Sequence, residues 1–401
     1  MVKAVAYRNI ALYRFVYTSS NADFNLAGHL VTDGIITSKA PSFLSVRTNE
    51  GELSNRDKEK MIDGNTVTSQ YIKGEKAFAE FNWEAMKVNL RNLKFTGELA
   101  YYQDKATQGY VIRVMGSHNG QKWEVLGEEK GTGLPGEATR QQVSSDPNKF
   151  QDVVRLPLRK LNVSIPLKKP GNYEHVRIEF TMPGAAWWRV KLIDNTTSWR
   201  PSMHFSSVWK SELAKNAQWL YVDLGTVADF DQVNLFWVNK ARQGKIQVSS
   251  DARNWSDIAT LGKQKGLTEK VACKGHGRYV RLLLTQPDAS GRYALSEMQV
   301  MGKGGLRAEA ANTLASKNGK LMLNQWQLRR EGSDAWIQAT VPGTVLTSYM
   351  NIGAVPDNRY DDNMRQISES FFNSDFWYRT TINHQPSANK NQHTYLNFDG
   401  I

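Results

Sequence analysis

The feature that most restricts the fold of this chain is an internal repeat. Residues 176–183, Val-Arg-Ile-Glu-Phe-Thr-Met-Pro, match residues 280–287, Val-Arg-Leu-Leu-Leu-Thr-Gln-Pro. Upstream of each, the segment 114–123 matches 248–255 in its first residues and in its tryptophan. The first copy is longer by a stretch that coincides with the Gly-, Ser- and Pro-containing residues 128–152. Such a repeat indicates two copies of one structural unit, the first with an inserted loop.

The repeated units have the pattern of β-strands. In residues 218–225, Gln-Trp-Leu-Tyr-Val-Asp-Leu-Gly, the aliphatic Leu220, Val222 and Leu224 alternate with Trp, Tyr and Asp before a closing glycine. This alternation predicts a strand inside a β-sandwich. Similar short segments separated by polar turns are 77–83, 90–102, 109–115, 161–167, 175–182, 232–238, 245–248, 279–285 and 297–301. The pattern predicts an all-β protein of tandem β-sandwiches.

Composition shifts suggest five segments. Residues 1–35 form a lead-in whose role is uncertain, 36–197 the first unit, 198–302 the second, 303–320 a linker and 321–401 a third unit. The chain stops on an alternating segment, Tyr-Leu-Asn-Phe-Asp-Gly-Ile. A strand of this kind needs a partner, so we expect the third domain to be truncated.

Charge and cysteine content exclude several classes of function. The chain has 51 Lys and Arg against 39 Asp and Glu, a net charge of +12, but no basic block and no nucleic-acid motif. We therefore expect no nucleic-acid partner. Cys273 is the only cysteine, which excludes an intrachain disulfide. Basic residues interrupt the first twenty positions, so no clear signal peptide or membrane span is predicted.

The second unit resembles the discoidin family, also called coagulation factor 5/8 type C domains, which includes family 32 carbohydrate-binding modules. The matching residues are Trp209-Lys210-Ser211, 218–225, 246–249, Trp255, Arg278-Tyr279-Val280-Arg281 and 295–302. The first unit is similar through 62–65, 117–123 and 175–177. The resemblance implies tandem eight-stranded jelly-roll sandwiches whose end loops bind a ligand, often a sugar.

The third unit resembles the N-terminal sugar-binding domain of family 2 glycoside hydrolases, in particular the β-mannosidase and exo-β-glucosaminidase branch. The matching residues are 339–345, 353–357, Asn363, 376–379 and 397–401. The family usually carries Pro-Asp-Pro-Tyr, whereas here Asp357 is followed by Asn358-Arg359-Tyr360. The resemblance implies a third jelly roll ahead of a (β/α)8 barrel that supplies two catalytic glutamates. The sequence contains no such barrel, so we assign no catalytic residue and expect the chain alone to be inactive.

Six residues are candidates for carbohydrate binding. By resemblance, Asp357 and Asn363 reach towards the sugar, since carboxylate and amide groups suit hydroxyl recognition. The other four, Trp188, Trp199, His204 and Arg242, could form an aromatic platform with polar groups beside it. The alternatives are a loop turn for Asp357 and Asn363, and core packing for the tryptophans.

Four residues are candidates for a structural calcium site. Asp63, Asn65 and Thr68 stand where related sandwiches hold this cation, which takes six to eight oxygen ligands. A later glutamate usually completes the site. The second unit offers Glu297 without a clear Asp-Gly partner, whereas the first has the Asp-Gly pair but Arg189-Val190-Lys191 in place of the glutamate. A turn-forming Asp-Gly is the alternative.

The leading hypothesis is the non-catalytic N-terminal region of a family 2 glycoside hydrolase, with glycan and the missing catalytic domains as partners. By family resemblance we expect export to the periplasm or outside the cell. The alternative is a stand-alone lectin or adhesion protein, and a weaker idea is surface anchoring through the positive charge.

Overall fold

The computed structural model describes residues 6–398 except 40, 66, 103–108, 132–138, 147–148, 193–198, 202–204, 215, 305–322, 324 and 383–394. Every strand pairing in this part of the chain is antiparallel. Among the described helices, none is long and apolar enough to cross a membrane.

The strands are short in the N-terminal part and long in the repeats. They are β1 Arg8–Asn9, β2 Val16–Thr18, β3 Phe43–Thr48, β4 Gly51–Glu52, β5 Gln70–Lys73, β6 Lys76–Glu84, β7 Val88–Tyr101, β8 Tyr110–Ser117, β9 Glu124–Gly131, β10 Thr139–Asp146, β11 Lys149–Arg155, β12 Leu158–Tyr173, β13 His175–Thr181, β14 Ala185–Leu192, β15 Trp209–Lys210, β16 Gln218–Asn239, β17 Gln243–Ser249, β18 Ser256–Leu261, β19 Thr268–Gln286, β20 Ala294–Lys303, β21 Gln327–Arg330, β22 Ile337–Gln338 and β23 Phe376–Arg379. The α-helices are α1 Asn55–Glu59, α2 Val345–Asn351 and α3 Glu369–Phe372, and 3-10 turns span Phe24–Leu26, Gly28–Thr32 and Asp361–Gln366.

The chain divides into two compact units, and one is inserted into the other. One unit is Lys39–Ser206, and the other combines Met1–Ser38 with Ser207–Ile401. Strand β1 pairs with β20 and β2 with β16, so the N-terminal strands complete the second repeat. Residues 1–35 are therefore not a lead-in to the first repeat, as the order of the chain suggested.

In the first sandwich, residues 39–206, two sheets face each other across one core. Their strand orders are β4-β3-β6-β13-β8-β9 and β12-β7-β14-β5. Strands β10 and β11 form a separate hairpin within the stretch that lengthens the first repeat. The largest side chains of the core are aromatic, because alternate residues of every strand point inwards; they include Phe81, Phe95, Phe180, Trp188 and Trp199.

The second sandwich contains eight strands, β1, β2 and β15 to β20. Strand β16 is long enough to pair with strands along both halves of this sandwich. Its first part pairs with β2 and the end of β19, and its second part pairs with β20 and the start of β19. The register shifts between Asp223 and Ala228, where Gly225 has φ +79°. This left-handed conformation suits a residue without a Cβ and lets the strand bend. The predicted all-β architecture of tandem jelly-roll sandwiches is confirmed.

The third segment, the described residues from 323 onwards, packs on the N-terminal part of its own unit. It contains a small sheet of order β22-β21-β23 with α2 and α3. The Arg14 Nη2 donates to the carbonyl of Ile352 at 2.6 Å, and Tyr13 lies edge-on to Tyr349 with ring centroids 5.9 Å apart. The N-terminal residues thus contact both the second sandwich and the third segment.

Candidate functional site

Two carboxyl groups from distant parts of the sequence lie near each other in the interior of the second sandwich. Asp33 and Glu297 are 3% and 0% exposed. Asp33 ends the turn Gly28–Thr32, and Glu297 lies on β20. The Ser207 hydroxyl donates to Asp33 Oδ2 at 2.7 Å, and the amides of Ile35 and Gly34 donate to Asp33 Oδ1 at 2.8 Å and Glu297 Oε2 at 3.3 Å. Glu297 Oε1 is buried and has no hydrogen-bond partner among the described residues.

Burial determines the protonation of this pair. It raises the pKa of Asp33 to about 7, against the lowering effect of the Ser207 and Ile35 hydrogen bonds and of Arg330. Burial, followed by the nearby charge of Asp33, raises the pKa of Glu297 well above its ordinary value. A proton or a cation therefore stabilises the pair, because two buried carboxylates repel each other.

The donor set around the pair consists of oxygen atoms. It offers two carboxyl groups, one with an orphaned oxygen, and the hydroxyls of Ser207 and Ser296, both buried. Oxygen donors of this kind are what calcium prefers. The backbone closes around them, since Thr37 N donates to Ser296 Oγ at 2.8 Å and that hydroxyl donates to Ser207 O at 2.9 Å.

The proximity of Asp33 to Glu297 was not predicted, because the first sandwich separates the two residues in the sequence. The Asp33-Gly34 pair lies before the first sandwich and therefore outside residues 198–302, the predicted bounds of the second unit. The signal was present, since Asp33-Gly34 repeats the Asp63-Gly64 pair of the first unit. That second Asp-Gly pair is the sequence feature that indicates a carboxylate partner for Glu297.

The candidate residues of the first sandwich form a turn. Asp63 Oδ1 accepts from the amide of Asn65 at 2.8 Å, and Oδ2 accepts from the Thr68 hydroxyl at 2.5 Å. Asn65 Oδ1 in turn accepts from the amide of Val67 at 2.9 Å. In the described part of the chain, no group of three His, Cys, Asp or Glu residues lies close enough to hold a metal. These bonds are those of the turn-forming alternative.

The two tryptophans proposed as a sugar platform are core residues. Trp188 is fully buried, its Nε1 donates to the carbonyl of Gly74 at 3.0 Å, and its ring lies 5.2 Å from Phe180. Trp199 is 1% exposed and packs edge-on against Trp83 at 5.2 Å. A ring without an open face cannot stack on a sugar, so the platform prediction for Trp188 and Trp199 is corrected.

Of the other two platform candidates, Arg242 lies among the described residues. Arg242 is exposed in the turn between β16 and β17, where its amide donates to the carbonyl of Gln286 at 2.8 Å. His204 lies outside the described residues. Trp237 is buried and donates from Nε1 to Glu269 at 3.0 Å, so it belongs to the core.

Asp357 and Asn363 do come together in one loop. The Asn363 side-chain amide donates to the carbonyl of Asp357 at 2.8 Å. The carboxylate of Asp357 accepts from Arg359 Nε at 2.9 Å and Nη2 at 2.6 Å, and this guanidinium lowers the pKa of Asp357 to about 2. Arg359, one of the residues at which this sequence departs from Pro-Asp-Pro-Tyr, thus places its guanidinium on the Asp357 carboxylate.

Comparison with known families assigns the class. The chain is a β-sandwich protein that contains carbohydrate-binding-module-like domains. Residues 191–282 match the F5/8 type C family described as NedA-like, galactose-binding domain, and residues 326–401 match the family described as glycosyl hydrolase 2 galactose-binding domain-like. None of the curated proteins matches the chain.

Solved structures are similar to about a quarter of the chain. Chitosan-binding module 1 of a chitosanase/glucanase from Paenibacillus sp. IK-5 is 30% identical over 24% of this chain and 76% of that one, with a TM-score of 0.23. Module 2 of the same enzyme, in complex with chitotriose, is 27% identical over 24% and 77%, with a TM-score of 0.23. A family 89 glycoside hydrolase from Clostridium perfringens is 21% identical over 26% and 13%, with a TM-score of 0.22.

Proposed function

We propose that this chain is the non-catalytic, carbohydrate-binding N-terminal region of a family 2 glycoside hydrolase. Further sequence of the same polypeptide would supply the retaining exo-β-glycosidase barrel. The observation that carries the proposal is the presence of an F5/8 type C sandwich and a family 2 sugar-binding segment within one compact unit. Such an arrangement suits a module that holds glycan at a fixed place relative to the domain beside it.

The contacts between the sandwich and the third segment support a fixed arrangement. His29 is 4% exposed, its Nε2 accepts from the amide of Ser368 at 2.9 Å, and its ring lies edge-on to Phe371. Asn25 accepts from the amide of Ser370 at 2.9 Å. Buried polar groups that are satisfied across a boundary favour one docked geometry over many.

A structural calcium at Asp33 and Glu297 forms part of the proposal. When bound, the cation would supply positive charge to two buried carboxylates and tie residues 33–37 to β20. Its role is to hold the end of the second sandwich at which the chain continues from the N-terminal segment into the first sandwich. The Asp63, Asn65 and Thr68 turn is the weaker candidate, since these side chains already satisfy one another.

A binding and activity assay on the whole chain tests the function. We expect selective binding on a glycan array, confirmed by calorimetry, and no release of p-nitrophenol from aryl β-mannoside or β-glucosaminide. Failure to bind any glycan would overturn the proposal, as would turnover of these substrates. A genomic sequence that ends at Ile401 without a barrel would instead favour the lectin or adhesion alternative. Export to the periplasm or medium is proposed with it and is tested by cell fractionation.

A further inference from the structure

The outer surface of the second sandwich carries a group of aromatic side chains, here called the aromatic face. Its members alternate with buried residues along the strands, since Leu220, Val222 and Leu224 are fully buried between them. All are partly or substantially exposed, and Tyr17 is 39% exposed. The aromatic face comprises Tyr17, Trp219, Tyr221, Trp255 and Tyr279, with Arg281 beside them.

The rings form one continuous surface. Tyr221 lies at its centre, stacked on Tyr17 at 4.8 Å and on Trp219 at 5.5 Å with interplanar angles of 22° and 19°. Trp255 and Tyr279 lie 5.4 Å and 5.9 Å from Tyr221. Because Tyr221 is stacked on both neighbours, these rings cover part of one another's faces, and their exposed parts together form an apolar patch that can contact the C–H groups of pyranose rings.

The polar atoms of these rings are unused. Among the described residues, no hydrogen bond is made by the hydroxyls of Tyr17, Tyr221 and Tyr279 or by the Nε1 of Trp219 and Trp255. Four buried tryptophans, Trp83, Trp188, Trp209 and Trp237, instead donate from Nε1 to a protein oxygen, although the Nε1 of Trp199 does not. The aromatic face therefore offers several free donors for ligand hydroxyls.

The same positions in the first sandwich show that the fold does not require this surface. Strand pairing sets Arg281 opposite Tyr221 and Tyr221 opposite Tyr17. In the first sandwich the equivalent register sets Arg177 opposite Glu80, and Glu80 opposite Arg47. There Glu80 accepts from Arg177 Nε at 2.8 Å and from Arg47 at 2.9 Å, which gives an ion-paired surface.

Where the first sandwich has Glu80 opposite Arg177, the second has Tyr221 opposite Arg281, so no carboxylate faces Arg281 across the strands. Arg281 stacks on Trp255 at 4.0 Å, and its Nε donates to Gln247 at 2.7 Å. No ion pair of Arg281 is found in the described part of the chain. Asp257 is near, but it accepts from Lys245 and Gln247, both at 2.6 Å. Two Nη groups of Arg281 thus remain available beside the rings, and an anionic group complements them.

We propose that the aromatic face binds an acidic glycan, a polysaccharide whose sugar units carry carboxylates. Pyranose rings would pack against the exposed parts of Tyr17, Trp219 and Tyr221, and a uronate carboxylate would pair with the guanidinium of Arg281. The inference rests on the proposed carbohydrate-binding function and adds a second site, on a sheet face rather than on the end loops. It also assigns a function to the exposed side of residues 218–225 of β16.

The test is calorimetry on the full chain with oligogalacturonate, and with cello-oligosaccharide as the neutral probe. Arg281→Gln should weaken oligogalacturonate binding about tenfold, the effect of one charge-assisted hydrogen bond, and should flatten its salt dependence. Tyr17→Ala should weaken binding of both probes, because stacking does not depend on charge. The matched control is Phe78→Ala, at the register position of Trp219 in the first sandwich, which should leave both affinities unchanged.

The outcomes separate this inference from the proposed function. If the chain binds glycans and neither Arg281→Gln nor Tyr17→Ala changes any affinity, the aromatic face is not the site, while the carbohydrate-binding function stands. Equal affinity for the two probes in the unmodified chain would overturn the acidic specificity. Thermal unfolding of each variant checks its fold, and Tyr17→Phe, which removes only a hydroxyl, provides a milder second variant.

Discussion

Asp33 and Glu297 illustrate how a buried pair of like charges depends on its surroundings. Each carboxyl is removed from water, and hydrogen bonds from Ser207, Ile35 and Gly34 only partly replace solvation. The folded protein therefore prefers these groups protonated or bound to a cation. If calcium binds at the proposed site, this preference should make stability depend on both pH and calcium.

Without calcium, the contribution of Asp33 to stability should fall as pH rises from about 4 to 7. The folded pKa of Asp33, about 7, lies above its ordinary 3.8, so at this group the folded state holds more protons in this window. The Asp33 contribution then decreases with pH by roughly 2–4 kcal/mol, opposite in sign to the contribution of His29 described below. Calcium should remove the loss, so its addition should raise Tm more at pH 7.5 than at pH 5. Equal calcium shifts at both pH values would contradict the site.

Glu297→Gln should abolish the calcium response. The amide preserves shape but removes the charge, so the variant should be at least as stable as the parent at pH 7.5 in chelator. Thermal unfolding with and without calcium measures this. Asp63→Asn is the control, because that side chain serves its own turn, and it should keep the full response. A calcium shift that survives in Glu297→Gln would place the cation elsewhere.

At the scale of elements, the turn Gly28–Thr32 joins the second sandwich to α3. Its His29 is completely surrounded, and burial lowers the pKa of the imidazole to about 3. Nε2 accepts the Ser368 amide proton, so the neutral ring carries its proton on Nδ1. Protonation would place a charge in an apolar contact with Phe371.

His29 should make the docked unit acid-sensitive. The unfolded imidazole takes up a proton near pH 6.5 and the folded one does not until about pH 3, so stability is lost as pH falls below 6.5. The loss should be about 2 kcal/mol between pH 6.5 and 5. Denaturant unfolding of His29→Gln, whose amide can accept from Ser368, should lack this component. His276→Gln, at an exposed histidine, should behave like the parent; identical pH profiles for His29→Gln and the parent would refute the assignment.

Local pattern predicted some elements well and others poorly. The predicted segments 218–225, 232–238 and 279–285 do lie in strands, because their residues alternate clearly, but the sequence did not predict that the first two belong to one strand, β16, or that β19 begins at Thr268. The strands β1 and β2 have two and three residues, and their partners lie more than two hundred residues away, so no local signal identifies them. The platform prediction failed for Trp188 because a strand's period does not say which face is inside when both faces carry aromatics, as at Trp187 and Trp188 of β14. Trp199 lies outside the strands, and its position in the core depends on packing against Phe81 and Trp83.

For the whole molecule, the insertion of the first sandwich is the organising feature. Its two ends leave the second sandwich at neighbouring points, since Thr37 N and Ser207 O both hydrogen-bond to the Ser296 hydroxyl. A domain whose ends lie close together can be inserted into a turn with little disturbance of its host. The tandem order of the sequence hid this nesting.

Replacement of residues 39–206 by a short Gly-Ser linker should leave the second sandwich and third segment folded. The reason is that each sandwich has its own core and the two linker ends are already adjacent. Near-ultraviolet circular dichroism and the calcium response should both persist. Deletion of residues 1–38 is the comparison, and it should abolish both, because β1, β2 and Asp33 are lost. A calcium response that disappears in the linker variant would mean that the first sandwich supplies a ligand.

The nesting also sets an order of assembly during synthesis. Residues 39–206 can fold as soon as they leave the ribosome, whereas the strands before them must wait for β20, which ends at Lys303. At about 5–20 residues per second, Asp33 spends on the order of ten seconds or more without Glu297. Meanwhile the nascent chain holds two unpaired edge segments, β1 and β2, on one side of a finished domain. Their brevity, two and three residues, gives a neighbouring nascent chain little to pair with.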